Sequence, residues 1–194
     1  MHIFAGLYKK RSLKTPKGSN TRPTTGIVRQ AVFNIIQNHV EGVAFLDLFA
    51  GSGAMGLEAL SRGAKYSVLV EKDRHALQCI DHNVEHLGVS GKVKILRLDV
   101  MRALINLSSS TASFDIIYAD PPYMQLEEDE LLSQQVVKFI GQHSLLKKDG
   151  WFFIEEDKRA ALDEGSYAGL EFVEKRSFGK TVLHIFKALG LSAS

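Results

Sequence analysis

The chain has 194 residues, 45 % hydrophobic and 24 % charged, the proportions of an ordinary soluble globular protein rather than a disordered one. Its 24 Lys and Arg against 22 Asp and Glu give a formal charge of +2, but residues 1–40 hold no acid and seven bases (Lys9, Lys10, Arg11, Lys14, Lys17, Arg22 and Arg29), leaving 17 bases against 22 acids in the rest. One cysteine, Cys79, excludes an internal disulfide and a cysteine-rich metal site, and the absence of a long apolar run or leader argues against a membrane span or secretion, so a cytoplasmic protein is expected.

In chain order, residues 1–25 read as a basic extension in which residues 2–5 and 11–14 can pair as a hairpin around residues 6–10. Residues 26–40 suit an amphipathic helix with Ile27, Ala31, Ile35 and Ile36, together with Val28, Val32 and Phe33, as its apolar positions and Arg29, Gln30 and Gln37 on its polar face. A strand is expected over 43–49, a helix over 54–62, a strand over 66–70, and a helix over 74–87 capped by Asp73. A strand over 93–98, a short helix over 101–107 and a strand over 114–119 follow. The acidic run 127–130 suits the start of a helix over 126–143. A strand over 151–155 and an antiparallel pair, 170–177 with 181–187, close the chain. Strands alternating with helices indicate an α/β fold with a mostly parallel sheet covered on both faces. Ligands in such sheets bind beyond the carboxyl ends of the strands, so the residues just after each strand are the ones to examine.

After the first strand, Gly51, Gly53 and Gly56 satisfy G-x-G-x-x-G between a strand and a helix. Glu71 stands 20 residues beyond Gly51, at the end of the second strand, where a carboxylate can accept both ribose hydroxyls of an adenosine-containing ligand. The spacing suits a dinucleotide and S-adenosylmethionine equally. Asp47, a carboxylate inside an apolar strand, needs a cationic or donor partner. The ammonium of a methionine-type ligand is one candidate and the turn's own N–H groups are another; a pyrophosphate would be repelled. Asp99, after the third strand, can accept from an adenine amino group, cap the following helix, or do both.

The fourth strand runs into Asp120-Pro121-Pro122-Tyr123. Two prolines remove two N–H donors and leave a surface of acceptors, the Asp120 carboxylate and the Asp120 and Pro121 carbonyls, beside the flat face of Tyr123. That set fits a planar group bearing NH₂: two acceptors hold its hydrogens while the ring stacks on the tyrosine. Held in this way, the nitrogen lone pair points at an electrophile, and the charge that develops on nitrogen is stabilised.

These residues resemble one family. Residues 47–53, Gly56-Leu57-Glu58-Ala59-Leu60-Ser61-Arg62-Gly63-Ala64, Glu71-Lys72-Asp73 and Asp120-Pro121-Pro122-Tyr123 are similar to those of the RsmD-type methyltransferases, which methylate the exocyclic N2 amino group of a guanine in small-subunit (16S) ribosomal RNA. Arg22-Pro23-Thr24-Thr25 with Val28-Arg29 and Phe33-Asn34 resembles the family's segment before the glycine turn, and Phe178-Gly179-Lys180-Thr181 its closing hairpin. The resemblance implies a Rossmann-like fold with a mostly parallel seven-stranded sheet and an antiparallel C-terminal hairpin, carried by a methyltransferase domain over 26–190. It implies S-adenosylmethionine held by Asp47, Phe49, Ala50, Gly51, Ser52, Gly53, Glu71, Lys72, Asp99 and Val100, with no metal. Asp120 and Pro121, with Pro122, would hold the target amino group, and Tyr123 would stack on the guanine. The RNA contacts would come from Lys9, Lys10, Arg11, Lys14, Arg22, Thr24 and Arg29. The expected partner is small-subunit ribosomal RNA or the assembling small subunit, met by a monomer. Other readings stay open: methylation of a DNA adenine or a protein glutamine, a non-catalytic RNA-binding or ribosome-assembly module, and a nicotinamide dehydrogenase. His82 and His86 are spaced i,i+4, as on a solvated helix face, and Cys79 reads as core or helix surface.

Overall fold

The computed structural model describes residues 1–16, 26–122, 126–127, 130–160, 162 and 167–189. Its elements are α1 (Gly26–Ile35), β1 (Ala44–Asp47), α2 (Ala54–Ser61), β2 (Tyr66–Val70), α3 (Arg74–Leu87), a 3₁₀ turn (Ser90–Lys92), β3 (Val93–Leu96), α4 (Val100–Ser108), β4 (Phe114–Ala119), β5 (Leu126–Glu127), β6 (Glu130–Leu131), α5 (Leu132–Gln142), β7 (Leu146–Asp157), β8 (Leu170–Phe178) and β9 (Thr181–Ala188). Seven strands form one sheet in the order β3-β2-β1-β4-β7-β9-β8, while β5 and β6 pair separately. β1 with β2, β2 with β3 and β4 with β7 are parallel; β9 runs antiparallel to both β7 and β8. The fold is Rossmann-like α/β with an antiparallel C-terminal pair, as expected. No described helix is long and apolar enough to cross a membrane.

The chain divides into two units, Met1–Ala103 and Leu104–Ser194. In the first, every residue of β1 is buried, as is every residue of α2. Such runs without alternation mark strands covered on both faces. Phe33 of α1 stacks on Phe45 of β1, ring centroids 6.1 Å apart. The helix α3 starts where expected, with the Asp73 carboxylate accepting from the Ala76 N–H at 2.8 Å. It ends at Gly88, whose φ of 68° suits the left-handed cap. The helix α1 is shorter than its apolar spacing suggests. It gives way after Ile35 to a tighter turn in which the His39 N–H donates to the Ile36 carbonyl at 2.8 Å.

Residues 1–14 of the basic N-terminal segment are packed, not trailing. His2 and Ser12 form an antiparallel bridge, and the Ile3 N–H donates to the Arg11 carbonyl at 3.0 Å. Ile3 and Leu13 are buried. The fully buried Glu58 carboxylate of α2 accepts from the Phe4 and Ala5 N–H groups at 2.8 and 3.1 Å and from Arg62 Nε at 2.8 Å. Arg29 completes this cluster. Its Nε lies 4.0 Å from Glu58, its Nη2 donates to the His2 carbonyl at 2.8 Å, and its guanidinium sits 4.3 Å from the centre of the Phe4 ring. Arg29 is 1 % exposed, which corrects its expected place on a solvated polar face and among the RNA contacts. A guanidinium so enclosed cannot meet a phosphate.

In the second unit, the helix expected from residue 126 begins only at Leu132. Residues 126–127 and 130–131 instead form the β5–β6 pair. The buried apolar spacing that holds the helix, Leu132, Val136, Val137 and Ile140, starts where the acidic run has ended. The strand β7 is longer than expected because Leu146 pairs with Phe114 before the irregularity at residue 149, where Asp149 adopts φ 61°. Three acids end β7: Glu155, Glu156 and Asp157 are 2–3 % exposed. The Tyr118 hydroxyl donates to Glu155, and Asp157 receives Arg159 Nε and Nη2 at 2.8 and 2.9 Å. Burial pushes the Glu156 carboxyl up; hydrogen bonds from Ser133 and the Asp157 N–H offset part of the rise, and the Asp157 charge adds to it.

Glu58→Ala leaves a buried guanidinium without its counter-charge and should cost about 3–5 kcal/mol in denaturant unfolding. It should also open residues 1–14 to protease. A loss below about 1 kcal/mol with the segment still protected would contradict the assignment. For Glu156 the folded carboxyl titrates above its unfolded value near 4.5. Its contribution is therefore intact below that value and is lost as pH rises through the folded one. Glu156→Gln should gain stability relative to the parent as pH rises above that unfolded value; a difference in urea midpoint between variant and parent that stays constant with pH would refute this.

Candidate functional site: a carboxylate-lined glycine turn and an acceptor turn

Three carboxylates follow three neighbouring parallel strands. Asp47 is the last residue of β1, Glu71 directly follows β2, and Asp99 lies just past β3. Asp47 is 1 % exposed, whereas Glu71 and Asp99 are half-buried. The sheet order β3-β2-β1 places all three at one edge.

The glycine turn between β1 and α2 is tied down at both sides. The Ala50 N–H donates to the Val70 carbonyl at 2.9 Å, and the Gly53 N–H to the Ala50 carbonyl at 2.7 Å. Gly53 holds φ 80° at the N-cap of α2, a conformation that a residue with Cβ adopts only at a cost. Gly56 serves packing: a Cβ there would lie 2.4 Å from both Leu69 Cδ2 and Ser67 Oγ, so only glycine lets α2 approach β2 this closely. The third glycine of the motif therefore faces the sheet rather than a ligand.

Glu71 is the clasp of the turn. Its Oε2 accepts from the Gly51 N–H, and its Oε1 from the Lys72 and Asp73 N–H groups, each at 2.8 Å. A carboxylate offers about four acceptor sites, so three are occupied and about one remains for a ligand. Asp99 accepts from the Met101 N–H at 3.0 Å, the cap role, and from Lys72 Nζ at 3.1 Å. Burial works to raise its carboxyl, but the bonds from Lys72, Met101 and Val100 outweigh it and hold the group below the usual range. Val100 is buried at the start of α4, Ala50 and Ser52 are buried, and Phe49 and Gly51 are half-buried.

One residue of this site escaped sequence reasoning. Asn83 lies within the apolar stripe of α3, between Ile80 and Leu87, and is fully buried. Its Nδ2 donates to the Ser52 carbonyl of the glycine turn and to the Lys14 carbonyl, both at 2.9 Å, while its Oδ1 accepts from the Lys14 N–H at 2.7 Å. A lone amide in an apolar stripe was the available signal.

The remaining candidates fall elsewhere. Lys9, Lys10, Arg11 and Lys14 are exposed, and Arg11 Nη2 donates to the His86 carbonyl at 3.2 Å. Arg22, Thr24 and Tyr123 lie outside the described residues. In the second unit, β4 ends at Ala119, Asp120 is half-buried, Pro121 buried and Pro122 exposed. His82 and His86 stack with ring centroids 6.1 Å apart on the exposed side of α3, and Cys79 is buried. Among the described residues no group of three or more His, Cys, Asp or Glu is placed to hold a metal.

Comparison with known proteins adds to this geometry. Residues 1–187 match the family described as Conserved hypothetical protein 95. A Bacillus subtilis (strain 168) protein named "Putative rRNA methyltransferase YlbH" is 35 % identical over 190 residues, covering 98 % of this chain and 100 % of the relative. The "Ribosomal RNA small subunit methyltransferase D" of Escherichia coli (strain K12) is 32 % identical over 162 residues, covering 84 % of this chain and 77 % of the relative. A solved Escherichia coli structure titled "Putative methyltransferase yhhF" superposes with a TM-score of 0.80 at 25 % identity, covering 97 % of each chain.

Proposed function

This chain belongs to the Conserved hypothetical protein 95 family, the RsmD-type methyltransferases, and we propose that it methylates the exocyclic N2 amino group of a guanine in small-subunit ribosomal RNA. The observation that carries the reading is the Asp120-Pro121-Pro122 turn at the carboxyl end of β4, in a chain whose relatives are named for ribosomal RNA methylation. The donor would be S-adenosylmethionine, which supplies an electrophilic methyl group on a sulfonium. The residues present fit it: carboxylates at the ends of β1, β2 and β3 suit a cation with a ribose, and would repel a pyrophosphate.

Asp47 would accept from the ligand's ammonium, with Phe49 to Gly53 enclosing its chain. Glu71 would take one ribose hydroxyl, with Lys72 beside it, and Asp99 and Val100 would border the adenine. The Asp120 carboxylate and the Pro121 carbonyl would hold the two amino hydrogens, Pro122 would keep the turn rigid, and Tyr123 would stack on the base. The guanine nitrogen would form its bond to the methyl carbon as the carbon–sulfur bond breaks, and Asp120 would then take the proton that nitrogen sheds. Alignment and polarisation of the amino group supply most of the rate. The exposed Lys9, Lys10, Arg11 and Lys14 would contact phosphates, joined by Arg22 and Thr24.

Asp120→Ala should lower kcat for methyl transfer from labelled donor to small-subunit RNA by about 10²–10³, with S-adenosylhomocysteine affinity unchanged in calorimetry. Wild-type turnover in that variant would sink the assignment. Replacing Lys9 and Lys10 together by Ala should reduce the slope of log affinity against log salt by about one to two for the same RNA. An unaltered slope would remove these lysines from the contact set.

A further inference from the structure

Asn83 joins two parts of the molecule that the proposed function treats as separate, the basic segment and the glycine turn. All of its amide capacity toward them is spent: one Nδ2 hydrogen on Ser52, the other on Lys14, and Oδ1 on the Lys14 N–H. The paired bonds to Lys14 fix that residue's backbone from both sides, while its side chain stays exposed. The bond to Ser52 fixes the peptide next to Gly53, one residue beyond the Gly51 N–H that the Glu71 clasp holds. Because Asn83 is fully buried, water cannot replace any of these bonds if one partner moves. The lysine expected to meet a phosphate and the turn expected to enclose the cofactor therefore share one amide.

We propose that Asn83 is a positioning residue through which RNA bound at the basic segment orders the glycine turn for the cofactor. The inference rests on the functional reading above. When a phosphate holds the Lys14 side chain, the Lys14 backbone is held more firmly against Asn83. The amide then stays aimed at the Ser52 carbonyl, and the turn loses alternative conformations that cofactor binding would otherwise have to remove. Linkage makes the effect mutual: cofactor bound at the turn tightens RNA at the segment by the same factor.

The test is a binding cycle with purified small-subunit ribosomal RNA and S-adenosylhomocysteine. In the wild-type chain, saturating RNA should tighten S-adenosylhomocysteine by about fivefold or more, the lower range of allosteric coupling. In Asn83→Ala that ratio should fall to about one, whatever happens to either affinity alone. A purely structural role would weaken both ligands and leave the ratio at its wild-type value, and that result overturns the proposal. Asn83→Asp keeps the side-chain shape but turns an acceptor toward two carbonyls, and it too should abolish the ratio. Amide exchange on the wild-type chain needs no variant: RNA alone should slow exchange in residues 50–53, and unchanged exchange there overturns the inference. A wild-type chain that binds neither ligand overturns the functional reading itself. One that binds both without coupling overturns only the role of Asn83.

Discussion

Burying a carboxylate is costly unless every neighbour answers it, and Glu58 is answered on all sides. Two backbone N–H groups, the Arg62 guanidinium and the more distant Arg29 surround it in the middle of a fully buried helix. This one charge explains why a segment with no acids of its own does not drift. The bases at residues 29 and 62 neutralise Glu58, and its spare acceptor capacity seizes the backbone at residues 4 and 5. The exposed lysines that follow at positions 9, 10 and 14 are thereby presented from a fixed base. Leu7 and Tyr8 add to the anchorage through Ser61, whose carbonyl and hydroxyl accept their N–H groups at 2.7 and 2.9 Å.

The glycine turn shows the same economy. Its conformation is imposed from outside by side chains on later elements, Glu71 after β2 and Asn83 on α3. Glu71 sits where a ligand-binding carboxylate is wanted, yet most of its acceptor sites hold the protein together. A ligand there would compete with the architecture for the same lone pairs. Asp99 is likewise divided, between the first turn of α4, Lys72 and any ligand.

Much of this was legible in the residues. The alternation of short apolar runs with amphipathic stretches marked the parallel strands, and the bounds of β2, α3 and β4 agree with the expected spans because strong punctuation flanks them: Asp73 and Gly88 around α3, Asp120 after β4. The start of α5 was obscured because an acidic run reads as a good helix opening, although the apolar face needed to hold a helix begins only at Leu132. Arg29 was misplaced because an arginine beside Gln30 in an otherwise apolar stretch looks like the wet side of a helix. Only the three-dimensional meeting with Glu58, distant in sequence, reveals it as enclosed. Asn83 was missed for the converse reason: its partners, Lys14 and Ser52, are brought to it only by the tertiary fold.

The long sequence separations within this cluster bear on how the chain acquires its form during synthesis. Residues 4, 5 and 14 leave the ribosome well before Glu58 and Asn83, the groups that receive them. Until α2 and α3 have been made, the segment is a loose polycation, and its docking must await contacts that are slow to close because the intervening loop is long. It is made early and fixed late. The nascent chain therefore passes through a stage in which its basic segment is free to meet any polyanion nearby, and docking onto Glu58 of α2 and Asn83 of α3 ends that stage.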